Sequence, residues 1–115
     1  MNVRQMRDLL GLETAAGQEG LDREVSGGYC GDLLSDVMAN AARGDAWFTM
    51  QSHQNIVAVA VLRELAAIVL VNGRRPDEDT VERADEEGIP ILLSGSRAYE
   101  LAGRLFAAGI GKKTE

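Results

Sequence analysis

Three short polar segments carry the residues best suited to binding chemistry. Each follows an apolar run that predicts a buried strand, and each precedes a predicted helix. Because parallel strands end at one edge of a sheet, we expect the segments to meet at a common rim, where free helix N–H groups and three arginines, Arg74, Arg75 and Arg97, favour a small anion or a nucleotide phosphate. The expected ligand-binding residues are Ser52, His53, Gln54, Asn55, Asn72, Arg74, Arg75, Ser94 and Ser96.

The same segments also admit a purely structural interpretation. Ser, Asn and Asp residues that precede a helix are ordinary N-caps, whose side chains accept hydrogen bonds from the first free N–H groups of the helix. Both interpretations remain open from the sequence.

A catalytic or metal site has little support in the residue types. His53 is the only histidine, and its neighbour Ser52 has no third orienting group at a spacing typical of a triad. A single histidine excludes a multi-histidine metal site, and no cofactor is predicted. Cys30 is the only cysteine and is expected to be a small buried hydrophobe. A small hydrolase or transferase that uses Ser52, His53 or Cys30 is the minor alternative.

Two glycine-containing segments resemble nucleotide-binding loops only in part. Ser26 to Gly31 has a serine where a dinucleotide loop needs its first glycine. The segment from Gly109 to Thr114 lacks the first glycine of a P-loop and has no room for the helix that follows one. We therefore expect a tight turn at the first segment and a frayed tail at residues 111–115.

Composition narrows the class of protein. The 115 residues fit one domain, residues 1–115, and the net charge of −6 opposes binding to nucleic acid. One cysteine, and no apolar run long enough for a membrane span, predict a cytoplasmic protein without membrane contact.

The elements that must position the polar segments follow from hydrophobic periodicity and from glycine and proline signals. They alternate between strand and helix over the second half of the chain, which predicts an α/β fold with a mostly parallel sheet flanked by helices. The acidic helix after Pro76 is expected to bury Val81 and Ala84. The predicted helices cover residues 3–10, 32–43, 54–65, 76–87 and 96–108, and the predicted strands cover residues 12–16, 23–29, 46–50, 67–71 and 89–93.

One further motif resembles that of a known family. Asp22, Arg23, Ser26, Gly27 and Gly28 resemble the short motif that names the DRTGG domain. Further similarity lies in the runs Ala67 to Gly73, Pro76-Asp77 and Glu87 to Leu92, which occur in the order of that family. The resemblance covers about residues 10–110.

The resemblance implies a fold similar to the N-terminal domain of HPr kinase/phosphatase and to the regulatory domain of long phosphotransacetylases. It also implies a module without catalysis of its own, which in regulated pyrophosphatases is inserted between CBS domains and helps them to dimerise. We therefore expect a non-catalytic regulatory module that is homodimeric and senses a small anionic metabolite, or has a protein partner in a metabolic or redox system. A nucleotide-binding sensor with its ligand at the carboxyl ends of the strands is the alternative.

Overall fold

The computed structural model describes residues 1–111, and these form three layers built on a five-stranded sheet. The strand order is β1-β5-β4-β3-β2, in which β1 is antiparallel to β5 and the other neighbours are parallel. The predicted α/β fold with a mostly parallel sheet is therefore confirmed. The strands are β1 Glu13–Ala16, β2 Gly27–Cys30, β3 Asp45–Thr49, β4 Ala67–Leu70 and β5 Ile91–Leu93. The helices are α1 Val3–Leu10, α2 Leu34–Asn40, α3 Asn55–Leu62, α4 Glu78–Glu87 and α5 Ala98–Ala107, with a 3₁₀ turn at Gln18–Gly20.

Helices cover both faces of the sheet, which explains why its central strands are mainly apolar. On one face α2, α3 and α4 pack over Trp47, Ile68 and Ile91. On the other face α1 and α5 pack over Phe48 and Val69. Strands buried on both sides favour apolar residues, and β3, β4 and β5 are buried throughout. Their two polar residues, Asp45 and Thr49, lie at the two ends of β3.

The chain changes faces only once among its parallel strands. The connections after β2, β3 and β4 run through helices on the first face, whereas β5 leads to α5 on the second face. The loops after β4 and β5 therefore diverge to opposite sides. In open α/β sheets such a divergence is the topological switch point, where ligands bind beyond the carboxyl ends of the strands.

The second helix is shorter than its periodicity predicts. We expected residues 32–43, but α2 runs from Leu34 to Asn40, and Leu33 is 68% exposed rather than packed inward. Asp32 explains the late start, because its Oδ1 accepts hydrogen bonds from the Thr49 hydroxyl and the Met50 N–H, at 2.8 and 2.7 Å. A residue held at the end of β3 is not available for the first turn of a helix.

The remaining differences lie at the ends of elements. Helix α3 ends at Leu62 rather than near residue 65, because Glu64 takes a left-handed φ of 53°. Helix α4 buries Thr80 and Ala84, and Val81 is only half-buried. The buried face of α4 thus includes a threonine, Thr80, whose hydroxyl donates to the Ser52 carbonyl oxygen at 2.7 Å.

Both ends of the described chain lie beside the start of β2. The Met1 carbonyl oxygen accepts a hydrogen bond from the Val25 N–H at 2.9 Å, and Gly111 lies against Gly27. Of the tail expected at residues 111–115, residues 112–115 lie outside the described part of the chain. Within residues 1–111, no helix combines the length and the apolarity that crossing a bilayer requires.

Glycine is required at the turn that joins β1 to the 3₁₀ helix. Gly17 has a φ of +70°, and a Cβ added there would overlap the Ile89 carbonyl group. Gly88 has a similar φ of +64° but has open space around its Cα. The two positions therefore share the backbone strain of a left-handed residue and differ in the close contact.

We expect Gly17→Ala to destabilise the fold much more than Gly88→Ala. The left-handed backbone costs an alanine about 1 kcal/mol at either site, and the backbone overlap at Gly17 adds about 1–3 kcal/mol. Urea unfolding followed by circular dichroism measures both variants against the wild type. Equal losses at the two positions would contradict the packing of Gly17 against Ile89.

Candidate functional site: a crevice at the switch point

A tight turn after β4 directs two arginines to the carboxyl edge of the sheet. Asn72 and Gly73 have φ angles of 59° and 72°, and the Arg74 N–H donates to the Val71 carbonyl oxygen at 3.1 Å. A type I′ turn requires two successive left-handed residues closed by such a bond, and Asn-Gly is its preferred sequence. The turn brings the chain back so that Arg74 and Arg75 face the loop after β5.

The loop after β5 is joined to this turn through the backbone. The Asn72 N–H donates to the Ser96 carbonyl oxygen and the Gly73 N–H donates to that of Ser94, each at 2.9 Å. The Ser94 hydroxyl oxygen in turn accepts from the Ser96 N–H at 3.0 Å, which keeps the loop folded on itself. These bonds extend the β4–β5 pairing beyond the sheet and fix the two loops relative to each other.

Together the two loops enclose a polar crevice of about 460 Å³, which we call the switch crevice. This volume is within the range of small-molecule sites. Its other wall comes from the end of α1 and the start of β1, where the Glu13 carboxylate lies 3.6 Å from the Arg75 guanidinium. Its principal lining residues are Glu13, Arg74, Arg75, Ser94, Gly95 and Ser96.

The expected rim is thus only partly assembled. The structure brings Arg74, Arg75, Ser94 and Ser96 into the switch crevice, whereas Asn72 faces a second crevice on the other side of the turn. The first polar segment points elsewhere. The Ser52 carbonyl oxygen accepts from the Asp77 N–H at 3.2 Å, the His53 Nδ1 accepts from the Asn55 N–H at 3.2 Å, and Gln54 lies beside the acidic side chains of α4.

The capping interpretation of these segments is supported only at the start of α3. Gln54, Asp77 and Arg97 are the residues at the N-cap positions of α3, α4 and α5, and none of them makes a side-chain cap hydrogen bond. The His53 Nδ1 accepts from the N–H of Asn55, the first residue of α3, as a capping side chain does, whereas Ser94 bonds the Ser96 N–H within its own loop. The Ser96 hydroxyl does not cap α5, so it remains available to a ligand.

Arg74 and Arg97 differ from the other arginines in the partners of their guanidinium groups. Within residues 1–111, every arginine except Arg74 and Arg97 bonds a carboxylate or a backbone carbonyl oxygen. The carboxylate pairs are those of Arg4, Arg7, Arg43, Arg75 and Arg83, and the carbonyl oxygens serve Arg23, Arg63 and Arg104. The two cations without such a partner thus stand on either side of the Asn72 turn, Arg74 in the switch crevice and Arg97 in the second crevice.

Cys30 is exposed rather than buried, so our expectation for this residue was wrong. It lies on the edge strand β2, on the face that α5 covers only in part. Partial burial of the thiol, and then the nearby charge of Asp32, raise its pKa above the ordinary value, which lowers the fraction of reactive thiolate. In the described part of the chain, no three His, Cys, Asp or Glu side chains are grouped so that they could hold a metal ion.

The family-like motif, residues 22–28, lies at the opposite edge of the sheet. The Arg23 guanidinium donates to the Leu65 carbonyl oxygen at 3.2 Å, just before β4 begins. The Ser26 N–H donates to the Gly44 carbonyl oxygen at 3.0 Å, and the Ser26 hydroxyl donates to that of Arg43 at 3.3 Å. The motif therefore joins the amino ends of β2, β3 and β4 to one another.

Within the motif, Gly27 is paired with the buried Asp45 at the start of β3. Asp45 is 7% exposed, and a Cβ at Gly27 would lie 2.5 Å from its Oδ1. The other oxygen, Oδ2, accepts from the Ala42 N–H at 2.8 Å. The groove around Arg23, Ser26 and Arg43 is larger than the switch crevice, about 660 Å³, but Arg43 is already paired with Glu64 at 3.0 Å. Its arginines are engaged within the fold, which makes this groove a weaker candidate for an anion.

Asp45 makes a testable contribution to the pH dependence of stability. Burial raises the pKa of its carboxyl group, although the Ala42 N–H opposes the shift. A carboxyl group whose pKa is higher in the folded protein loses stabilising effect as the pH rises through the unfolded value of about 4 towards the folded one. We expect Asp45→Asn, which keeps the acceptor for Ala42, to gain stability relative to the wild type across this interval.

Urea unfolding at pH 3.5, 5 and 7 measures that gain, and Asp79→Asn on the exposed side of α4 is the control. The difference in unfolding free energy between Asp45→Asn and the wild type should increase with pH. A difference that is constant or decreases with pH would contradict the buried, charged state of Asp45.

A solved structure is similar to this chain over nearly its whole length. It is that of the CBS and DRTGG domains of the regulatory region of Clostridium perfringens pyrophosphatase, complexed with an activator, diadenosine tetraphosphate. The TM-score is 0.73 at 15% sequence identity, over 96% of this chain and 47% of that one, so this chain spans about half the length of its structural neighbour. No family model and no curated protein matches the sequence. At the level of the fold, the likeness supports the DRTGG-like domain predicted from the sequence.

Proposed function

We propose that this chain is a non-catalytic regulatory module that senses a small anionic metabolite in the switch crevice. The observation that carries the proposal is the free guanidinium of Arg74, in a protein of net charge −6 where nearly every other described arginine is engaged. A free cation in a concave site has its hydrogen-bond donors available for a phosphate or a carboxylate. The structural neighbour, a regulatory region complexed with a polyanionic activator, is consistent with this class of function.

Arg75 and the serines extend the same chemistry. Arg75 is 3.6 Å from Glu13, a long and exposed pair that an incoming anion can replace at little cost. The backbone bonds between the two loops hold Arg74 and Ser96 on opposite walls before any ligand arrives. A site held in this way loses little conformational entropy on binding.

The proposal excludes catalysis by Ser52, His53 or Cys30. His53 is exposed, and its Nδ1 is bonded to the Asn55 N–H. Cys30 has a raised pKa and no histidine beside it in the crevice that it lines. These residues therefore lack the nucleophile and base in mutual contact that acyl or group transfer requires.

Thermal unfolding with a panel of anions tests the sensor. The panel contains phosphate, pyrophosphate, tripolyphosphate and small sugar phosphates, each in a low-salt buffer. A ligand at ten times its Kd stabilises by about 1.4 kcal/mol, which raises the Tm by about 4–8 °C in a domain of this size. We expect at least one anion to do so, and we expect Arg74→Ala to lose most of the shift.

Arg83→Ala is the matched control, because Arg83 lies on α4 and pairs with Glu87 away from the crevice. It should respond to anions as the wild type does. Equal Tm shifts in the Arg74 and Arg83 variants would remove the switch crevice from the proposal, and no shift with any anion would overturn the proposal as a whole.

We also propose that the module pairs with a second copy of itself beside β2. There the partly covered face of the edge strand and one side of α5 border an apolar hollow of about 230 Å³, lined by Gly28, Cys30, Ala102, Phe106 and Ile110 among others. None of the residues within 1–111 that line the hollow is charged. An edge strand next to an apolar surface is a favourable place for a second chain to dock.

Light scattering at several hundred micromolar protein tests this pairing. We expect a dimer for the wild type and for the control Leu62→Arg, and a monomer for Ala102→Arg, which introduces a charge into the hollow. Leu62 is 68% exposed at the end of α3 and takes no part in the hollow. A strict monomer at these concentrations would contradict the proposed dimer and leave the anion site unaffected.

A further inference from the structure

A second crevice, of about 290 Å³, opens on the other side of the Asn72 turn. It lies at the carboxyl ends of β2, β3 and β4, on the face covered by α5, and it is lined by Cys30, Asp32, Phe48, Met50, Asn72 and Arg97 among others. Neighbouring residues of both loops alternate between the two crevices. Asn72 and Arg97 line this one, whereas Gly73 and Ser96 line the switch crevice.

The two crevices are therefore separated only by a ridge of backbone. The ridge consists of the backbone of Asn72 and Ser96, which are joined by the hydrogen bond from the Asn72 N–H to the Ser96 carbonyl oxygen, at 2.9 Å. Two hydrogen-bonded chains lie about 4.8 Å apart, a distance that one ligand with two connected parts can cross. Each crevice contributes one guanidinium group that is free within the described chain, Arg74 on one side and Arg97 on the other.

The second crevice differs from the first in its chemistry. Phe48, Val71 and Ala98 give it apolar walls, whereas the switch crevice is mainly polar. The polar groups of the second crevice stand at its margin. Within residues 1–111, the side-chain amide of Asn72 donates only to the sulfur of Met50, at 3.1 Å, and sulfur is a weak acceptor. Asn72 can therefore give both a donor and an acceptor to a ligand.

Asp32 and Arg97 complete this margin. Asp32 uses Oδ1 for the Thr49 hydroxyl and the Met50 N–H, which fixes the orientation of its carboxylate. Arg97 has a planar guanidinium that can stack on a flat ring. Apolar walls, hydrogen-bonding groups along one margin and a planar cation are the features that recognise a planar nitrogen heterocycle.

We infer that the ligand of this module is a nucleoside phosphate, with its base and sugar in the second crevice and its phosphates in the switch crevice. The inference rests on the proposed function, because it takes the anion site at Arg74 as given and adds the part that the ligand places beyond the ridge. A sugar phosphate or inorganic polyphosphate would leave the apolar walls unused.

Isothermal titration in low salt compares tripolyphosphate with ATP, GTP, CTP and UTP. We expect at least one nucleoside triphosphate to bind ten-fold or more tightly than tripolyphosphate, which has the same chain of phosphates without base or sugar. If tripolyphosphate binds and no nucleotide exceeds it, the second crevice is not a base site, although the anion site stands. If none of the five compounds binds, the inference fails, and the proposed function fails with it only if the panel of anions in the thermal-unfolding test also gives no shift.

Three variants assign the gain to the second crevice. Asn72→Gly removes the amide but keeps the left-handed turn, because glycine accepts a positive φ without strain. Cys30→Phe fills the crevice from β2, and Leu62→Phe adds the same side chain at a distant exposed site. Because Cys30 also borders the apolar hollow, light scattering compares the oligomeric state of Cys30→Phe with that of the wild type. We expect the first two variants to lose the ten-fold gain and keep the tripolyphosphate affinity, and the third to bind as the wild type does.

Asn72→Gly decides the matter if Cys30→Phe lowers the Tm, since the glycine variant introduces no bulk. A nucleotide gain that survives Asn72→Gly and Cys30→Phe would overturn the placement of the base. An equal loss of nucleotide and tripolyphosphate affinity in Asn72→Gly would also overturn it, because the amide would then serve the phosphates.

Discussion

The change of face between β4 and β5 is the constraint on which the rest of the structure depends. Successive right-handed crossovers carry α2, α3 and α4 along one side of the sheet, and the chain must then cross over to cover the other side. Two loops that diverge from neighbouring strands leave a gap between them. The backbone bonds from Asn72 and Gly73 to the opposite loop close the floor of this gap, so that the polar groups above it are held in place by the fold itself.

The fold was largely predictable because it is encoded in local patterns. Continuous apolar runs identified β3, β4 and β5, and the glycine at position 88 ended the acidic helix where the structure ends it. The errors have a common cause. Asp32, Glu64 and Cys30 lie where contacts distant in sequence decide the outcome. These are a bond to the end of β3, the bond from the Gly44 N–H to the left-handed Glu64, and a strand face that α5 covers only in part.

The residue types of the candidate site could be predicted from the sequence, but which of those residues share one crevice could not. The sequence indicates that polar loops follow the strands, and Arg74, Arg75, Ser94 and Ser96 do share one crevice. It does not indicate that Ser52 and His53 turn towards α3 and α4, because that depends on which face each helix takes. The sequence also does not indicate that the Arg97 guanidinium has no partner within residues 1–111, or that Asp32 bonds the end of β3. Both depend on contacts between residues that are distant in the sequence.

The two ends of the described chain meet beside the start of β2, on the edge of the sheet opposite the proposed ligand site. An element whose entry and exit are adjacent is well suited to insertion into a loop of a larger host, because the host backbone is interrupted over only a short gap. In such an arrangement a ligand bound at the far edge would act on the host through the sheet rather than by direct contact. The proposed ligand site and the connections to the host would thus lie at opposite ends of the strands.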